Sequence, residues 1–208
     1  MNAFVLAGGA SSRMGRDKAL LELHGQPLIR HALAKLNTID FMPRIVGSRP
    51  DLTSFATVVA DNFPQSGPLG GIEAALAASD TDQNLVIAVD LPLLPASFLH
   101  WIADRAALTN ALATIPFLQG RPQPLCATYN RALLPHVRAA LTVGNFKIMH
   151  AIQSAAAHLH TSIDAFHVES VAAAQSWPQA VPLHRWFQNI NTPADLESLV
   201  LEHFAGIE

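Results

Sequence analysis

One short segment near the amino terminus concentrates groups that bind phosphate. It reads Leu6-Ala7-Gly8-Gly9-Ala10-Ser11-Ser12-Arg13-Met14-Gly15-Arg16-Asp17-Lys18. Glycines let backbone N–H groups approach an anion closely, and serine hydroxyls add donors. Arg13 and Arg16 offer forked donors, and Lys18 offers a compact charge, for a triphosphate. The spacing fits neither the P-loop nor the dinucleotide fingerprint. The segment therefore predicts a phosphate-binding loop of another type, with an ordinary strand-to-helix turn as the alternative.

A carboxylate follows the most apolar run of the chain. Asp90 comes directly after residues 85–89 and precedes Leu91-Pro92-Leu93-Leu94-Pro95. At the carboxyl end of a central parallel strand, such a side chain points into the crevice where open α/β sheets bind ligands. Mg²⁺ takes one or two carboxylates and completes its shell with phosphate oxygens and water. We therefore expect Mg²⁺ at Asp90; an N-cap for the following helix is the alternative.

Two further loops carry polar groups at the start of predicted helices. The first reads Asp61-Asn62-Phe63-Pro64-Gln65-Ser66-Gly67-Pro68-Leu69-Gly70-Gly71-Ile72, and Asp61 could accept hydrogen bonds from a base edge such as guanine N1 and N2. The second contains Asn189 and Asn191, whose amides face the same side if the segment is extended. Plain turn bonding is the alternative for both loops.

Short apolar runs alternate with segments of helical period, which is typical of parallel strands joined by helices. Strands are predicted at residues 3–7, 44–47, 56–60, 85–89 and 111–115, and helices at 27–36, 69–78, 96–108, 131–141 and 145–154. Residues 125–129 predict an antiparallel strand, because the turn before them is too short for a crossover. Residues 155–179 give no clear assignment, 183–187 alternate like a short strand, and 193–202 predict a last helix.

The predicted fold is α/β: a three-layer sandwich with a Rossmann-like, mostly parallel sheet, helices on both faces and a small antiparallel addition. A chain of 208 residues without linker or repeat is expected to form one domain, with a nucleotide-binding half at about residues 1–110 and an acceptor-binding half at about 111–208.

Composition excludes several classes of protein. Apolar residues make up 50% of the chain and charged residues 14%, with a net charge of −3, so a nucleic-acid-binding surface is not expected. No apolar run is long enough for a membrane span or a signal peptide, and the single cysteine, Cys126, fits a cytoplasmic protein. Three of the 13 basic residues fall between Arg13 and Lys18, which favours one focused anion site.

The four loops, in this order, resemble the molybdenum cofactor guanylyltransferases, a branch of the broader nucleotidyltransferase family. The matching blocks, which span essentially the whole chain, are Leu6-Ala7-Gly8-Gly9, Arg13-Met14-Gly15, Asp17-Lys18, Gly67-Pro68-Leu69-Gly70-Gly71-Ile72, Asp90-Leu91-Pro92-Leu93-Leu94-Pro95 and Asn189-Ile190-Asn191-Thr192-Pro193. The resemblance implies transfer of GMP from GTP to the terminal phosphate of Mo-molybdopterin with Mg²⁺ as cofactor. The products would be molybdopterin guanine dinucleotide and pyrophosphate.

Residue by residue, the resemblance implies a nucleotide site at Leu6, Ala7, Gly8, Gly9, Lys18, Asp61, Gly67 and Asp90. It implies catalytic roles for Arg13, Lys18 and Asp90, and an acceptor site at Asn189, Asn191 and Lys147. The chain departs from the family pattern in three places: residues 15–17 are one residue shorter than usual, Gly70-Gly71 replaces Ala-Gly, and Phe146 replaces an arginine for the acceptor phosphate. Lys147 is the candidate cation in place of that arginine.

Transfer between two phosphates needs positioning and charge neutralisation more than a protein nucleophile, because the acceptor phosphate is already anionic. Two other interpretations stay open. One is a cytidylyltransferase or sugar-1-phosphate guanylyltransferase on the same scaffold. The other is a catalytically silent homologue that binds nucleotide or delivers cofactor to a molybdoenzyme. Besides GTP and molybdopterin as substrates, the resemblance implies transient contact with molybdoenzymes or their chaperones.

Overall fold

The structure is a computed structural model that describes residues 1–8, 17–175, 177, 181–190 and 195. Its strands are β1 (Asn2–Leu6), β2 (Glu22–Leu23), β3 (Gln26–Pro27), β4 (Arg44–Val46), β5 (Val58–Val59), β6 (Gln83–Ala88), β7 (Ala113–Leu118), β8 (Arg121–Pro122), β9 (Cys126–Asn130) and β10 (Asp164–His167). Its α-helices are α1 (Leu28–Asn37), α2 (Gly67–Ala78), α3 (Ala96–Thr109), α4 (Leu134–Thr142), α5 (Ile148–Leu159) and α6 (Val168–Ala174). Short 3₁₀ helices occupy Lys18–Leu20, Pro50–Leu52, Arg131–Leu133 and Leu183–Arg185.

The main sheet has eight strands in the order β10-β7-β9-β6-β1-β4-β5, with β8 paired to β7. Strand β1 pairs in parallel with β4 and β6, β4 with β5, and β10 with β7. Strand β9 runs antiparallel to β6 and β7, and β8 is antiparallel to β7. A separate antiparallel pair joins β2 and β3. The α/β class, the mostly parallel sheet and the small antiparallel addition are thus confirmed.

Helices cover both faces of the sheet, so the core is divided into two apolar layers. Buried side chains of α1 and α3 pack on one face, among them Leu28, Ile29 and Phe98. Helices α2, α4 and α5 cover the other face with Ile72, Val137, Ile152 and their neighbours. Strand β6 is buried at every position because it lies between these layers and pairs on both sides. This explains why its sequence is a continuous apolar run rather than an alternating one.

Most of the predicted elements lie within a few residues of the observed ones. The antiparallel strand expected at 125–129 is β9, which pairs with β6 through the register Ile87↔Cys126. The unassigned stretch 155–179 contains the end of α5, β10 and α6. No helix in the described part of the chain is both long and apolar enough to cross a membrane.

The prediction of a strand at residues 183–187 was wrong. The chain forms a 3₁₀ turn there, at Leu183–Arg185, and the indole N–H of Trp186 donates to the Val181 carbonyl oxygen over 3.0 Å. Trp186 packs against Phe98 at 5.5 Å between ring centroids. The alternation in sequence therefore reflects aromatic packing onto α3 rather than strand pairing. The helix predicted at 193–202 lies outside the described residues except for Asp195, which is helical.

Candidate functional site

The candidate site forms where parallel strands β1, β4, β5 and β6 end at the same edge of the sheet. Gly8, Ser48, Asp61 and Asp90 follow these four strands within a few residues. Backbone hydrogen bonds tie the strand ends together: the N–H of Ala7 donates to Val46 over 2.9 Å, and the N–H of Val89 donates to Leu6 over 3.1 Å. The loops that carry the candidate side chains therefore start from a rigid base.

The central contact of the site joins the glycine-rich segment at residues 6–18 to the loop that begins with Asp90. Lys18 Nζ donates to Asp90 Oδ2 over 3.0 Å, with 27% of the lysine side chain and 15% of the aspartate side chain exposed. Lys18 starts a 3₁₀ helix capped by Asp17, whose Oδ1 accepts from the N–H of Ala19 over 2.9 Å. Strand pairing of β1 with β6 brings these distant segments together.

Arg49, just after β4, is a site residue that sequence reasoning missed. Its guanidinium donates to Asp17 Oδ1 over 3.0 Å, forms an ion pair with Asp17 Oδ2, and reaches the Ala7 carbonyl at 3.4 Å. Two further hydrogen bonds, of 2.9 and 2.6 Å, connect it to Asp51. Arg49 thereby fixes the turn that presents Lys18 relative to the end of β1. Its place three residues after β4, where ligand-binding loops of parallel sheets begin, is the one signal in the sequence, and it is not a specific one.

Two glycines allow the loops after β1 and β4 to touch. Gly47 has φ +144°, and a Cβ there would lie 2.9 Å from the Gly8 backbone nitrogen. A Cβ on Gly8 would lie 3.3 Å from Asp61 Oδ2. Any side chain at these positions would push the loops and the Asp61 carboxylate apart. This close approach is between neighbouring loops, and the expected approach of the glycine backbone to an anion stays a prediction.

Asp61 is partly buried in the loop that follows β5. Burial raises the pKa of its carboxyl, an effect opposed by a hydrogen bond with the Ser48 backbone and reinforced by the negative charge of Glu73. Glu73 on α2 is fully buried and accepts from Asn62 Nδ2 over 2.9 Å and from Arg138 Nε over 2.7 Å. This network links the loop that contains Asp61 and Asn62 to α4.

A cavity of about 190 Å³ lies beside Asp90, on the β9 side of the site. Its lining includes Gln123, Phe187, Asn189 and, at the start of β9, Cys126. The N–H of Ile190 donates to the Asp90 carbonyl over 3.0 Å, which holds the segment carrying Asn189 against the Asp90 loop. The structure therefore brings Lys18 to the carboxylate of Asp90 and the segment that carries Asn189 to its backbone carbonyl.

The remaining sequence candidates differ in how they are placed. Leu6 is buried in β1, Ala7 follows it, and Gly67 begins α2 with φ +62°. Lys147 is exposed at the N-terminus of α5, next to Ile148, which lines the cavity. Gly9, Arg13 and Asn191 lie outside the described residues.

The donor set can be tested against the divalent cation expected at Asp90. No group of three or more His, Cys, Asp or Glu side chains in the described ranges is arranged to hold a metal by itself. One carboxylate, Asp90, faces the loop that carries Lys18. A single carboxylate fits Mg²⁺ carried by a triphosphate, which needs few protein ligands, and does not fit a structural metal such as zinc.

The chain is similar to known proteins in both sequence and fold. The family model described as "MobA-like NTP transferase domain" matches residues 3–161. A protein from Chloroflexus aggregans, named "Probable molybdenum cofactor guanylyltransferase", is 32% identical over 205 residues, covering 95% of this chain and 92% of its own. One from Carboxydothermus hydrogenoformans with the same name is 30% identical over 197 residues, covering 94% and 93%. The crystal structure of molybdopterin-guanine dinucleotide biosynthesis protein A from Archaeoglobus fulgidus superimposes with a TM-score of 0.78 at 26% identity, covering 95% and 96%.

Proposed function

The chain belongs to the MobA-like NTP transferase family, and we propose that it transfers GMP from GTP to the terminal phosphate of Mo-molybdopterin, forming molybdopterin guanine dinucleotide and pyrophosphate. The observation that carries this proposal is the pair of Lys18 and Asp90 at the carboxyl edge of the parallel strands, with Asn189 beside it. The names of the similar proteins that span nearly the whole chain support the choice of substrates.

The reaction forms one bond to the α-phosphorus of GTP and breaks another. An oxygen of the acceptor phosphate attacks the α-phosphorus, and the bond to the oxygen that bridges the α- and β-phosphates breaks, so pyrophosphate leaves with that oxygen and its electron pair. No proton needs to be removed from the attacking oxygen, because it is already anionic. The protein must align the two phosphates and neutralise charge on the departing pyrophosphate.

The residues around the strand ends can meet these needs. The backbone of Leu6, Ala7, Gly8 and Gly9 would cradle the nucleotide, and Lys18 with Arg13 would neutralise the charge that develops on pyrophosphate. Lys18 now pairs with Asp90, so it exchanges that partner for a phosphate oxygen when the triphosphate binds.

Nucleotide choice would depend on the loop after β5. Asp61 is positioned against Gly8 and bonded to the Ser48 backbone, so its carboxylate would accept from the N1 and N2 groups of guanine. Gly67, at the start of α2 six residues later, would let the backbone come close to the nucleotide.

Asp90 would hold Mg²⁺ on the triphosphate. When bound, this ion would supply charge neutralisation for phosphate oxygens at the reacting centre. Asp90 is suited to that role because its loop is held by Ile190 through the backbone, and its carboxylate would be released when Lys18 pairs with a phosphate oxygen. On the acceptor side, Asn189 and Asn191 would orient the pterin, and Lys147 would reach the acceptor phosphate from the start of α5.

The proposal is tested by measuring pyrophosphate release with GTP, Mg²⁺ and Mo-molybdopterin, and by identifying the dinucleotide by mass. Parallel reactions with CTP and ATP test the nucleotide, and thermal shifts with each nucleotide report binding; a ligand at 100 times its dissociation constant adds about 2.7 kcal/mol to the free energy of unfolding. Turnover with CTP in place of GTP would replace the guanylyl assignment by a cytidylyl one. Nucleotide binding without any transfer would identify a silent homologue.

A further inference from the structure

Lys35 is a basic residue that the proposed reaction does not use, and it contacts the loop that follows Asp90. It lies in the last turn of α1, at the edge of the apolar stripe formed by Leu28, Ile29, Ala32, Leu33 and Leu36. Its Nζ donates to the carbonyl oxygen of Pro92, two residues after Asp90 and 57 positions away in sequence. Helix α1 is therefore connected directly to the loop that aims the Asp90 carboxylate.

The surroundings of Lys35 make this contact costly. Burial lowers its pKa to about 8, an effect opposed by the charge of the buried Cys126 thiol, whose own pKa is raised by burial. A partly buried ammonium loses hydration that one carbonyl oxygen replaces only in part. A methionine or leucine would extend the apolar stripe of α1 without this cost. The fold alone therefore does not account for a lysine at position 35.

Two features of the Asp90 loop make a side-chain contact important for holding it in place. Residues 91–95 contain two prolines, which have no N–H to donate, and the loop leaves β6 without continuing the strand. The Asp90 carbonyl is held by the N–H of Ile190 at 3.0 Å, and its carboxylate is held by Lys18 at 3.0 Å. The bond from Lys35 to the Pro92 carbonyl is a third contact on the same loop.

We propose that Lys35 is a positioning residue for transfer: its bond to the Pro92 carbonyl holds the Asp90 carboxylate in the orientation that the reaction needs. This inference rests on the proposed function for its catalytic consequence, but the immobilisation of the loop can be measured without any substrate. Lys35 touches neither reacting group. It acts through the backbone of residues 90–92.

The experiment compares wild type with Lys35→Met, Lys35→Gln and Arg30→Met. Arg30→Met is the matched control, because Arg30 lies on the same helix with its guanidinium over the Phe55 ring, 5.6 Å from its centroid. Hydrogen exchange of the ligand-free proteins is followed by mass spectrometry for the peptide covering residues 88–96. We expect exchange at least about tenfold faster there in Lys35→Met, with partial recovery in Lys35→Gln, which keeps an amide donor, and no change in Arg30→Met.

Steady-state kinetics with GTP then tests the consequence for transfer. In Lys35→Met we expect kcat to fall about tenfold or more with little change in the KM for GTP, and a melting temperature at or above that of wild type. Unchanged exchange in the 88–96 peptide would overturn the positioning role, whatever the activity. Faster exchange with wild-type kcat would overturn its link to transfer. A wild-type protein that transfers no GMP would instead refute the proposed function, and the exchange data would still decide the role of Lys35 in the loop.

Discussion

Lys18 Nζ and Asp90 Oδ2 lie 3.0 Å apart although the two residues are separated by 72 positions in the sequence. Each group partly neutralises the other in a cleft where both side chains are mostly buried. A triphosphate that carries a divalent cation could separate this ion pair, because each member of the pair has an oppositely charged partner in the ligand. In the proposed reaction a phosphate oxygen would pair with the Lys18 ammonium, and the divalent cation would bind the Asp90 carboxylate.

The first prediction concerns this pair. Lys18→Ala and Asp90→Ala should each reduce turnover about a hundredfold or more, because each removes charge stabilisation in a water-poor site. Circular dichroism and thermal unfolding should show intact folding for both variants. The matched control is Asp104→Ala, which removes the carboxylate of an exposed ion pair with His100 on α3 and should keep wild-type turnover. Wild-type turnover by purified Lys18→Ala or Asp90→Ala would contradict the assignment of the site.

The second prediction concerns Arg49. Arg49→Met frees the Asp17 turn from the end of β1, so Lys18 is presented less accurately and the KM for GTP should rise about tenfold. Arg49→Lys should not restore it, because an ammonium cannot reproduce the forked contacts with two carboxylates. Asp51→Asn is the control: it disturbs an exposed partner of Arg49 and leaves the Asp17 contact in place. An equal rise in KM for Asp51→Asn would show that the contact between Arg49 and Asp17 does not determine nucleotide binding.

The third prediction concerns the contact between Gly47 and Gly8. Gly47→Ala should weaken nucleotide binding at least about tenfold, because its Cβ would lie 2.9 Å from the Gly8 nitrogen and displace the loop after β1. Gly120→Ala is the control, since Gly120 also has positive φ, +72°, but nothing lies within 4 Å of the added Cβ. Gly120→Ala should lose about 1 kcal/mol from backbone strain, and Gly47→Ala should lose more, because its Cβ also meets the Gly8 backbone. Titration with GTP should separate them, and equal affinities would refute the role of the close approach.

The sequence predicted the separate parts of the site better than their contacts. Asp90 could be placed at a strand end, and Lys18 in a phosphate-binding segment, from local patterns alone. Their contact depends on β1 pairing with β6 rather than with a sequence neighbour, and strand order is not encoded in any local window. Arg49 was missed because a single arginine after a short strand has no distinctive spacing.

Lys35 and the segment around Trp186 show the same limit. Helical periodicity places Lys35 on α1 but does not show that it reaches the Pro92 carbonyl. The alternation at residues 183–187 has the period of a strand, yet packing of Trp186 on Phe98 decides the conformation. Tertiary contacts thus override local preference where aromatic side chains find a buried partner.

The fourth prediction is a dependence of stability on pH that comes from Lys35. Its pKa in the folded protein is about 8, against 10.5 for the unfolded chain. Below pH 8 the amine is protonated in both states, and the full cost of burying its charge is present. Between the two pKa values the unfolded chain holds the proton more tightly, so the free energy of unfolding rises with pH through this contribution.

The pH effect is isolated by subtracting Lys35→Met from wild type. Titration of the buried Cys126 thiol acts in the opposite direction, because its raised pKa lowers stability at high pH, and since Lys35 influences that pKa both proteins are compared in a Cys126→Ala background. Urea unfolding at about pH 7 and about pH 10 should show the wild type gaining up to about 3 kcal/mol relative to Lys35→Met, at about 1.4 kcal/mol per pKa unit. A difference that stays constant over this range would mean that Lys35 is not buried as the structure shows. A difference that falls would mean that an unrecognised anion raises its pKa instead.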